Sequence, residues 1–168
     1  MAYLTKCVGN AFYRPADLTA SAGALVTAAK RTRDMSRLED YLEAIYNLNE
    51  EKGYISAADI SEKLGVTPPT VSSMVARLDK EGYLVHERYR GMRLTDKGAK
   101  VAKSVIRRHA TVFEFLSMLG IVGDIAYEDT EGIEHHIQPM TFRKIERLVE
   151  FLKERPDELK EIREFVDR

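Results

Sequence analysis

The chain has 168 residues, of which 44% are hydrophobic and 32% are charged, and its formal net charge at pH 7 is −1. This composition is ordinary for a soluble globular protein with one medium domain or two small ones. No apolar run approaches the ~20 residues that a transmembrane helix needs, and the single cysteine, Cys7, excludes an internal disulfide and a thiolate metal cluster. We therefore expect a cytoplasmic protein that does not enter a membrane.

The small net charge hides an uneven distribution along the chain. Residues 68 to 110 hold ten Lys or Arg against four Asp or Glu, which gives +6. Residues 35 to 67 come to −4, and residues 111 to 168 come to −6. A basic middle between acidic ends indicates a surface for a polyanion and, elsewhere, acidic surface that suits cations or water.

The first 34 residues differ from the rest, because they are rich in Ala and Thr and lack a sustained apolar period. We expect residues 1–34 to be an N-terminal extension that is disordered or arises from the choice of start site, with a weak helix conceivable over residues 16 to 31. A strong helical pattern then predicts a first helix with Ser36 as N-cap, running to about Glu51.

The next segment has the pattern of a helix-turn-helix. Ser56 is predicted to cap a short helix that stops at Gly65. Thr67 is predicted to cap the following helix, which opens with Pro68 and Pro69 as first-turn residues. Two short helices joined by a tight turn containing glycine form this motif.

Two short strand-like runs lie between residues 83 and 95, separated by a turn at Arg90-Gly91. They predict a hairpin, which would be the wing of a winged helix. In such proteins the second helix of the motif presents its N-terminal residues to base edges, and cations of the wing meet phosphates. The residues expected to contact DNA are Thr67, Pro68, Pro69, Thr70, Ser72, Ser73, Arg77, Arg88, Arg90 and Arg93.

The remainder is predicted to be helical. Thr95 or Asp96 caps a long helix to about Leu119, a second helix spans residues 124 to 137, Thr141 caps a third, and a short amphipathic helix follows Pro156. The fold class is thus mainly α. We expect a winged-helix DNA-binding domain over residues 35–96 and an all-helical metal-binding and dimerisation domain over residues 97–168.

One cluster has the composition of a metal site. Glu131, Glu134 and His135 stand at i, i+3 and i+4, so a helix would place two carboxylates and an imidazole on one face. Three donors seldom complete the shell of a hard cation, and further donors lie upstream in Asp40 with Glu43, also three apart, and in His109. From these residues alone, a solvated helix face remains an alternative to a ligand set.

Together, several motifs make residues 36 to about 152 resemble the diphtheria toxin repressor family, and within it the manganese-responsive branch. The matching segments are Glu39-Asp40-Tyr41-Leu42-Glu43-Ala44-Ile45-Tyr46, Glu51-Lys52-Gly53-Tyr54, Leu78-Asp79-Lys80, Tyr89-Arg90-Gly91, Leu94-Thr95 with Lys97-Gly98, Arg108-His109, and Glu131-Gly132-Ile133-Glu134-His135-His136.

The resemblance implies a metal-activated homodimeric repressor that binds a palindromic double-stranded DNA operator and represses metal-uptake genes when Mn²⁺ is abundant. The ligand set that it implies is Asp40, Glu43, His109, Glu131, Glu134 and His135. Iron-responsive members are expected to have methionine in place of Asp40 and cysteine in place of Glu134, whereas hard carboxylates suit Mn²⁺. Four carboxylates carry −4, which favours two Mn²⁺ ions per subunit over one.

Three alternatives stay open at this stage. The chain could be an iron- or zinc-responsive member of the same family. It could be a metal-dependent hydrolase with Glu131 or Glu134 as general base, although the sequence shows no separate nucleophile. The winged helix could also be a protein-interaction module. His136 projects about 100° from His135 on a helix, so we do not expect it to be a ligand.

Overall fold

The computed structural model describes residues 22–52, 55–87 and 91–168, and within these ranges it describes side chains from Asp34 onward except that of Glu87. Within these ranges lie helices α1 (Ala22–Lys52), α2 (Ala57–Leu64), α3 (Pro68–Lys80), α4 (Asp96–Met118), α5 (Gly123–Glu134), α6 (Pro139–Lys153) and α7 (Pro156–Val166), and strands β1 (Leu84–Glu87) and β2 (Gly91–Leu94). No described helix is long and apolar enough to cross a membrane. The mainly α fold class is confirmed.

The first helix is longer than predicted. It begins at Ala22 and passes through Ser36 without interruption, so the predicted N-cap at Ser36 is wrong. The expected disorder of residues 1–34 accordingly does not hold for residues 22 to 34, and residues 1 to 21 lie outside the described part of the chain. Ala-rich sequence has high helix propensity, and a helix that already exists propagates into it at little cost.

The helix-turn-helix forms as predicted. Ser56 caps α2 in a full capping box with Asp59, and Gly65 ends the helix in the left-handed region at φ 62°. Thr67 occupies the N-cap position of α3, but its hydroxyl meets Thr70 Oγ1 at 2.9 Å and makes no cap hydrogen bond.

The wing is a two-stranded antiparallel hairpin in which Leu84 pairs with Leu94 and Glu87 with Gly91. An isolated bridge between Ile55 and Met92 joins the hairpin to the segment before α2. Buried side chains of α1, α2, α3 and the wing form one core. Its fully buried members include Leu42, Ile45, Ile55, Ile60, Val71, Leu78 and Leu84.

Helix α4 leads from the wing to the remaining helices. Thr95 is its N-cap and accepts a hydrogen bond from the Gly98 backbone N–H. Its C-terminal half packs against α6 and α7 through a smaller core centred on Met118, Val149 and Leu152.

Two predicted helix boundaries need correction. Helix α5 ends at Glu134, so His135 is its C-cap rather than a residue of the helix. Helix α6 begins at Pro139 after the N-cap Gln138, so Thr141 lies inside the helix and does not cap it. Proline is favoured at the first position of a helix because its missing N–H has no helical partner there.

Candidate metal centre

Three helices bring the six predicted ligands together. Asp40 and Glu43 lie on α1, His109 lies on α4, and Glu131 and Glu134 lie on the last two turns of α5, with His135 directly after them. Helix α5 packs on α4, which brings its C-terminal end to His109.

The first donor cluster consists of His109, Glu131 and Glu134. His109 Nδ1 lies 3.2 Å from Glu131 Oε1 and 3.1 Å from Glu134 Oε2. One ligand atom from each residue falls within 4.8 Å of the others, the spacing of groups that surround a metal ion. Three such donors can share one cation.

Two atoms of this cluster are buried without a hydrogen-bond partner. They are His109 Nδ1 and Glu134 Oε2, which are close to each other but not aligned as a hydrogen bond. Leaving a buried polar atom unsatisfied costs about 1–3 kcal/mol, so native proteins seldom do so without a reason. Two buried donor atoms that lie 3.1 Å apart without a hydrogen-bond partner fit a bound cation.

The second donor cluster consists of Asp40, Glu134 and His135. His135 Nε2 lies 3.1 Å from Asp40 Oδ1 and 3.3 Å from Glu134 Oε1. Glu134 therefore belongs to both clusters, with one carboxylate oxygen toward His109 and the other toward His135. Its side chain is only 1% exposed.

Glu43 completes the set from α1. It lines a cleft of about 450 Å³ together with Asp40, His109, Tyr127 and Glu131. Burial raises the pKa of Glu43, and the neighbouring charges of Glu131 and Asp40 raise it further, while His109 opposes the rise. Glu43 therefore lies close enough to the other donors for their charges to shift its pKa, although no hydrogen bond or ion pair joins it to them among the described residues.

In the metal-free centre, bound protons offset part of the negative charge of the carboxylates. Burial raises the pKa of Glu134 to about 7, against the attraction of His109 and His135. Hydrogen bonds with Asp40 and Glu39 raise the pKa of His135 to about 10, so its imidazole carries a positive charge at neutral pH. A positive charge is thus already held where the carboxylates meet.

The described donors suit a hard or borderline divalent metal. All six are carboxylates or imidazoles, and the set contains no sulfur, which is the chemistry preferred by Mn²⁺ and tolerated by Fe²⁺ and Zn²⁺. His136 follows the C-cap of α5, and its Nδ1 lies 3.1 Å from the carbonyl oxygen of Gly132.

Sequence reasoning missed two residues beside this centre. Glu39 Oε2 accepts a hydrogen bond from His135 Nδ1 at 3.1 Å. Arg108 Nη2 lies 2.6 Å from the same oxygen, as an ion pair without hydrogen-bond alignment. Burial alone would raise the pKa of Glu39, but these two partners lower it. Both residues adjoin predicted ligands in sequence and lie in the segments that resemble the family, but neither signal identifies them as partners of His135.

The residues predicted to contact DNA that lie on α3 or at its cap are all exposed; they are Thr67, Pro68, Pro69, Thr70, Ser72, Ser73 and Arg77. Arg93 on β2 is exposed as well, whereas Arg88 and Arg90 lie outside the described residues. Arg37 of α1, which sequence reasoning did not select, lines a shallow groove with four of them, Pro69, Thr70, Ser73 and Arg77.

Arg77 is already paired in the free protein. Its Nε donates to Glu81 Oε1 at 2.8 Å, one turn further along α3. A cation that is to reach DNA from this position has to leave its carboxylate partner.

Both halves of the chain match known family descriptions. Residues 35–92 match "Iron dependent repressor, N-terminal DNA binding domain", and residues 95–163 match "Iron dependent repressor, metal binding and dimerisation domain".

Curated relatives and solved structures agree with these matches. The HTH-type transcriptional regulator MntR of Lysinibacillus sphaericus is 45% identical over 125 residues, which cover 74% of this chain and 90% of that protein. MntR of Listeria innocua is 44% identical over 127 residues, covering 76% and 89%. The structure of the manganese regulator SloR is similar with a TM-score of 0.61 and 32% identity, covering 68% of this chain and 54% of SloR, so the match spans about half of that protein.

Proposed function

Because the chain belongs to the iron-dependent repressor family, we propose that it is a manganese-dependent transcriptional regulator that represses metal-uptake genes when Mn²⁺ is abundant. Its relatives are transcriptional regulators and not enzymes. The matched domains make it a DNA-binding protein that dimerises and holds a divalent metal. The proposal also specifies the identity of the metal, the number of ions per subunit, the ligands, the domain limits and the kind of operator.

The observation that carries the proposal is the convergence of donors from both parts of the chain. We assign residues 35–96 to the DNA-binding domain and residues 97–168 to the metal-binding and dimerisation domain. Asp40 of the first domain lies 3.1 Å from His135 of the second. A centre between these two residues would fix one domain against the other.

We propose Asp40, Glu43, His109, Glu131, Glu134 and His135 as the metal ligands. The sulfur-free donor set supports Mn²⁺, as does the name of the similar manganese regulator SloR. Iron- or zinc-responsive regulation is the nearest rival within the family, because geometry and ligand hardness, and not raw affinity, must select Mn²⁺.

We further propose two Mn²⁺ ions per subunit. Glu134 turns its two oxygens toward two histidines that belong to different donor clusters, which supports a carboxylate shared by two ions. Bound Mn²⁺ supplies the positive charge that offsets four carboxylates. Without it, Asp40 and Glu43 on α1 repel Glu131 and Glu134 on α5, and only protonation relieves the repulsion.

DNA recognition is proposed to follow from the fixed domain arrangement. The exposed N-terminal half of α3 would enter the major groove, and cations of the wing would contact phosphates. A homodimer presents two such helices, so we expect a palindromic operator whose half-sites match their spacing. Such a regulator would act in the cytoplasm, on chromosomal DNA.

The test is operator binding at controlled metal. An operator is first selected from a random DNA library in the presence of Mn²⁺, and its affinity is then measured with Mn²⁺, Fe²⁺, Zn²⁺ or a chelator. We expect tight binding with Mn²⁺ and weak binding with chelator, and Glu134→Ala should remove the difference. Equal operator affinity in Mn²⁺ and in chelator would refute the proposal. Stronger activation by Fe²⁺ or Zn²⁺ would mean that this ion, and not Mn²⁺, is the activating metal.

A further inference from the structure

We propose that Glu39 and Arg108 are positioning residues of the metal centre, which orient His135 without binding the metal themselves. The inference rests on the proposed function, because it concerns how this chain presents a ligand to its metal. Neither residue belongs to the ligand set. Glu39 contacts the proposed ligand His135 directly, and Arg108 contacts Glu39.

Adjacent residues of α1 hold the two nitrogens of one imidazole. Asp40 Oδ1 lies 3.1 Å from His135 Nε2, whereas Glu39 Oε2 lies 3.1 Å from Nδ1. In the neutral imidazole that a metal requires, an Nδ1–H donated to Glu39 leaves the lone pair on Nε2, which faces Asp40 and Glu134. Carboxylates commonly fix metal-binding histidines in this way.

Arg108 pairs with Glu39 and thereby enables Glu39 to orient His135. Its guanidinium lies 2.6 Å from the Glu39 oxygen that also receives His135 Nδ1–H. The pair compensates the charge of Glu39, so this carboxylate does not add a fifth negative charge to the four of the centre. The three side chains are largely buried, with exposed fractions of 14% for Glu39, 20% for Arg108 and 8% for His135.

The chain of contacts also joins three helices. It runs from Arg108 on α4 through Glu39 on α1 to His135 at the end of α5. His135 is the C-cap residue of α5, and its ring contacts side chains of α1 on both of its nitrogens. Removing Glu39 should therefore leave Nε2 poorly directed while the fold persists.

The first experiment measures Mn²⁺ affinity in the absence of DNA, on the full chain. We expect Glu39→Ala to weaken Mn²⁺ binding by about 10- to 100-fold, as is typical when the partner of a metal-binding histidine is removed. Glu39→Gln should recover part of the loss, because its amide oxygen still accepts from Nδ1–H. Arg108→Gln should weaken binding as well, since Glu39 loses the cation that holds its oxygen in place.

Matched controls come from a neighbouring ion pair. Arg107 pairs with Glu146, whose side chain is 17% exposed, and this pair lies between α4 and α6, with neither residue among the proposed ligands. Glu146→Ala and Arg107→Gln make the same changes of charge and should leave Mn²⁺ affinity unaltered. If Glu39→Ala binds Mn²⁺ as Glu146→Ala does, Glu39 has no positioning role, and if Arg108→Gln matches Arg107→Gln, Arg108 has none.

A spectroscopic readout separates orientation from folding. With the diamagnetic probe Cd²⁺ bound, ¹H–¹⁵N correlation of the His135 ring should show an Nδ1–H proton that is protected from exchange with water in the parent protein and exchanges rapidly in Glu39→Ala. Unchanged protection of this proton would overturn the proposal. Should Glu39→Ala fail to fold in thermal melts, Glu39→Gln carries both measurements. A parent protein that binds no Mn²⁺ would refute the proposed function instead.

Discussion

At the residue scale, Glu134 combines the greatest burial with the most central place among the donors. It is a carboxyl group in the core, its pKa is raised to about 7 by burial, and one of its oxygens has no hydrogen-bond partner. A buried group of this kind weakens the metal-free fold whenever it is ionised. Such a cost is expected where function, and not stability, has selected the residue.

The pKa of Glu134 makes the stability of the metal-free protein depend on pH. Because its folded pKa lies above the usual value of 4.5, its contribution is fully present below that value and is lost as pH rises through about 7. With chelator at pH 8.5, Glu134→Gln should therefore melt a few degrees above the parent protein, about 2–4 °C for each ~1 kcal/mol. At pH 4.5 the two proteins should melt alike.

Thermal melts followed by circular dichroism give both values. Added Mn²⁺ should stabilise the parent protein and leave Glu134→Gln nearly unchanged, which ties the pH effect to the centre. A variant that is less stable than its parent at pH 8.5 would contradict the assignment of the buried charge.

A second prediction concerns Arg77, which pairs with Glu81 before any DNA is bound. Glu81→Gln should strengthen DNA binding by a few-fold, because an exposed ion pair that must be broken is worth about 0.2–1 kcal/mol. Fluorescence anisotropy with labelled duplex at fixed Mn²⁺ measures the change. Glu154→Gln, at another exposed glutamate beside an arginine, makes the same change of net charge and should have a smaller effect. Equal effects would mean that net charge alone is responsible.

The donors that the structure brings together could be predicted from the sequence where their chemistry is local. The donors could be selected because carboxylates and imidazoles at i, i+3 and i+4 share a helix face, and the family motif supplied the distant members. Glu39 and Arg108 could not be distinguished from ordinary surface charges. Only the approach of α1 to α4 and to the end of α5 makes them partners of His135.

At the element scale, the junction between the wing and α4 depends on one close approach. A Cβ atom added at Gly98 would lie 2.0 Å from the carbonyl oxygen of Tyr83 and 3.2 Å from Leu94 Cδ2. The glycine lets the first turn of α4 lie directly against the backbone that enters the wing. Since α4 also carries His109, this contact connects the DNA-binding elements to the metal centre.

Gly98→Ala should therefore destabilise the protein by about 1–3 kcal/mol, the usual cost of overpacking a filled site. Urea denaturation of the metal-free protein gives the difference in free energy of unfolding. Gly132→Ala on α5 is the matched control, because its added Cβ meets nothing within 4 Å. The control should be neutral or more stable by up to ~1 kcal/mol, through helix propensity. Equal stability of the two variants would show that the wing adjusts to the added atom.

Element boundaries were the weakest part of the sequence-based prediction. The type and order of the helices, the turn at Gly65 and the hairpin followed from apolar spacing and turn residues. The start of α1 did not, because Ser36 satisfies the pattern of an N-cap while the preceding sequence can also continue the helix. A residue that can act as an N-cap permits a helix to begin there, but the surrounding sequence and structure determine whether the helix begins at that residue.

At the scale of the whole molecule, the charge asymmetry of the sequence separates two kinds of surface. The segment with +6 contains α3, the wing and about the first two-thirds of α4, whereas the acidic segments supply the carboxylates of the centre. A basic surface that suits a polyanion and a candidate site for a cation thus lie on the same chain. Their binding need not be independent, because α1 contributes both to the core beneath α3 and to the proposed metal ligands.

Coupling between metal and DNA is the last prediction. If Mn²⁺ tightens operator binding by a given factor, operator DNA must tighten Mn²⁺ binding by the same factor, and ordinary coupling energies correspond to about 5- to 150-fold. Asp40→Asn should reduce both factors together, because Asp40 is the proposed ligand on α1 that directly contacts His135. DNA affinity of this variant in chelator should stay at the parent value, since its α3 and wing are unaltered. Titrations of Mn²⁺ with and without operator, and of operator with and without Mn²⁺, measure the two factors on one protein. Full coupling in Asp40→Asn would show that the link between the domains does not pass through the contact of α1 with the end of α5.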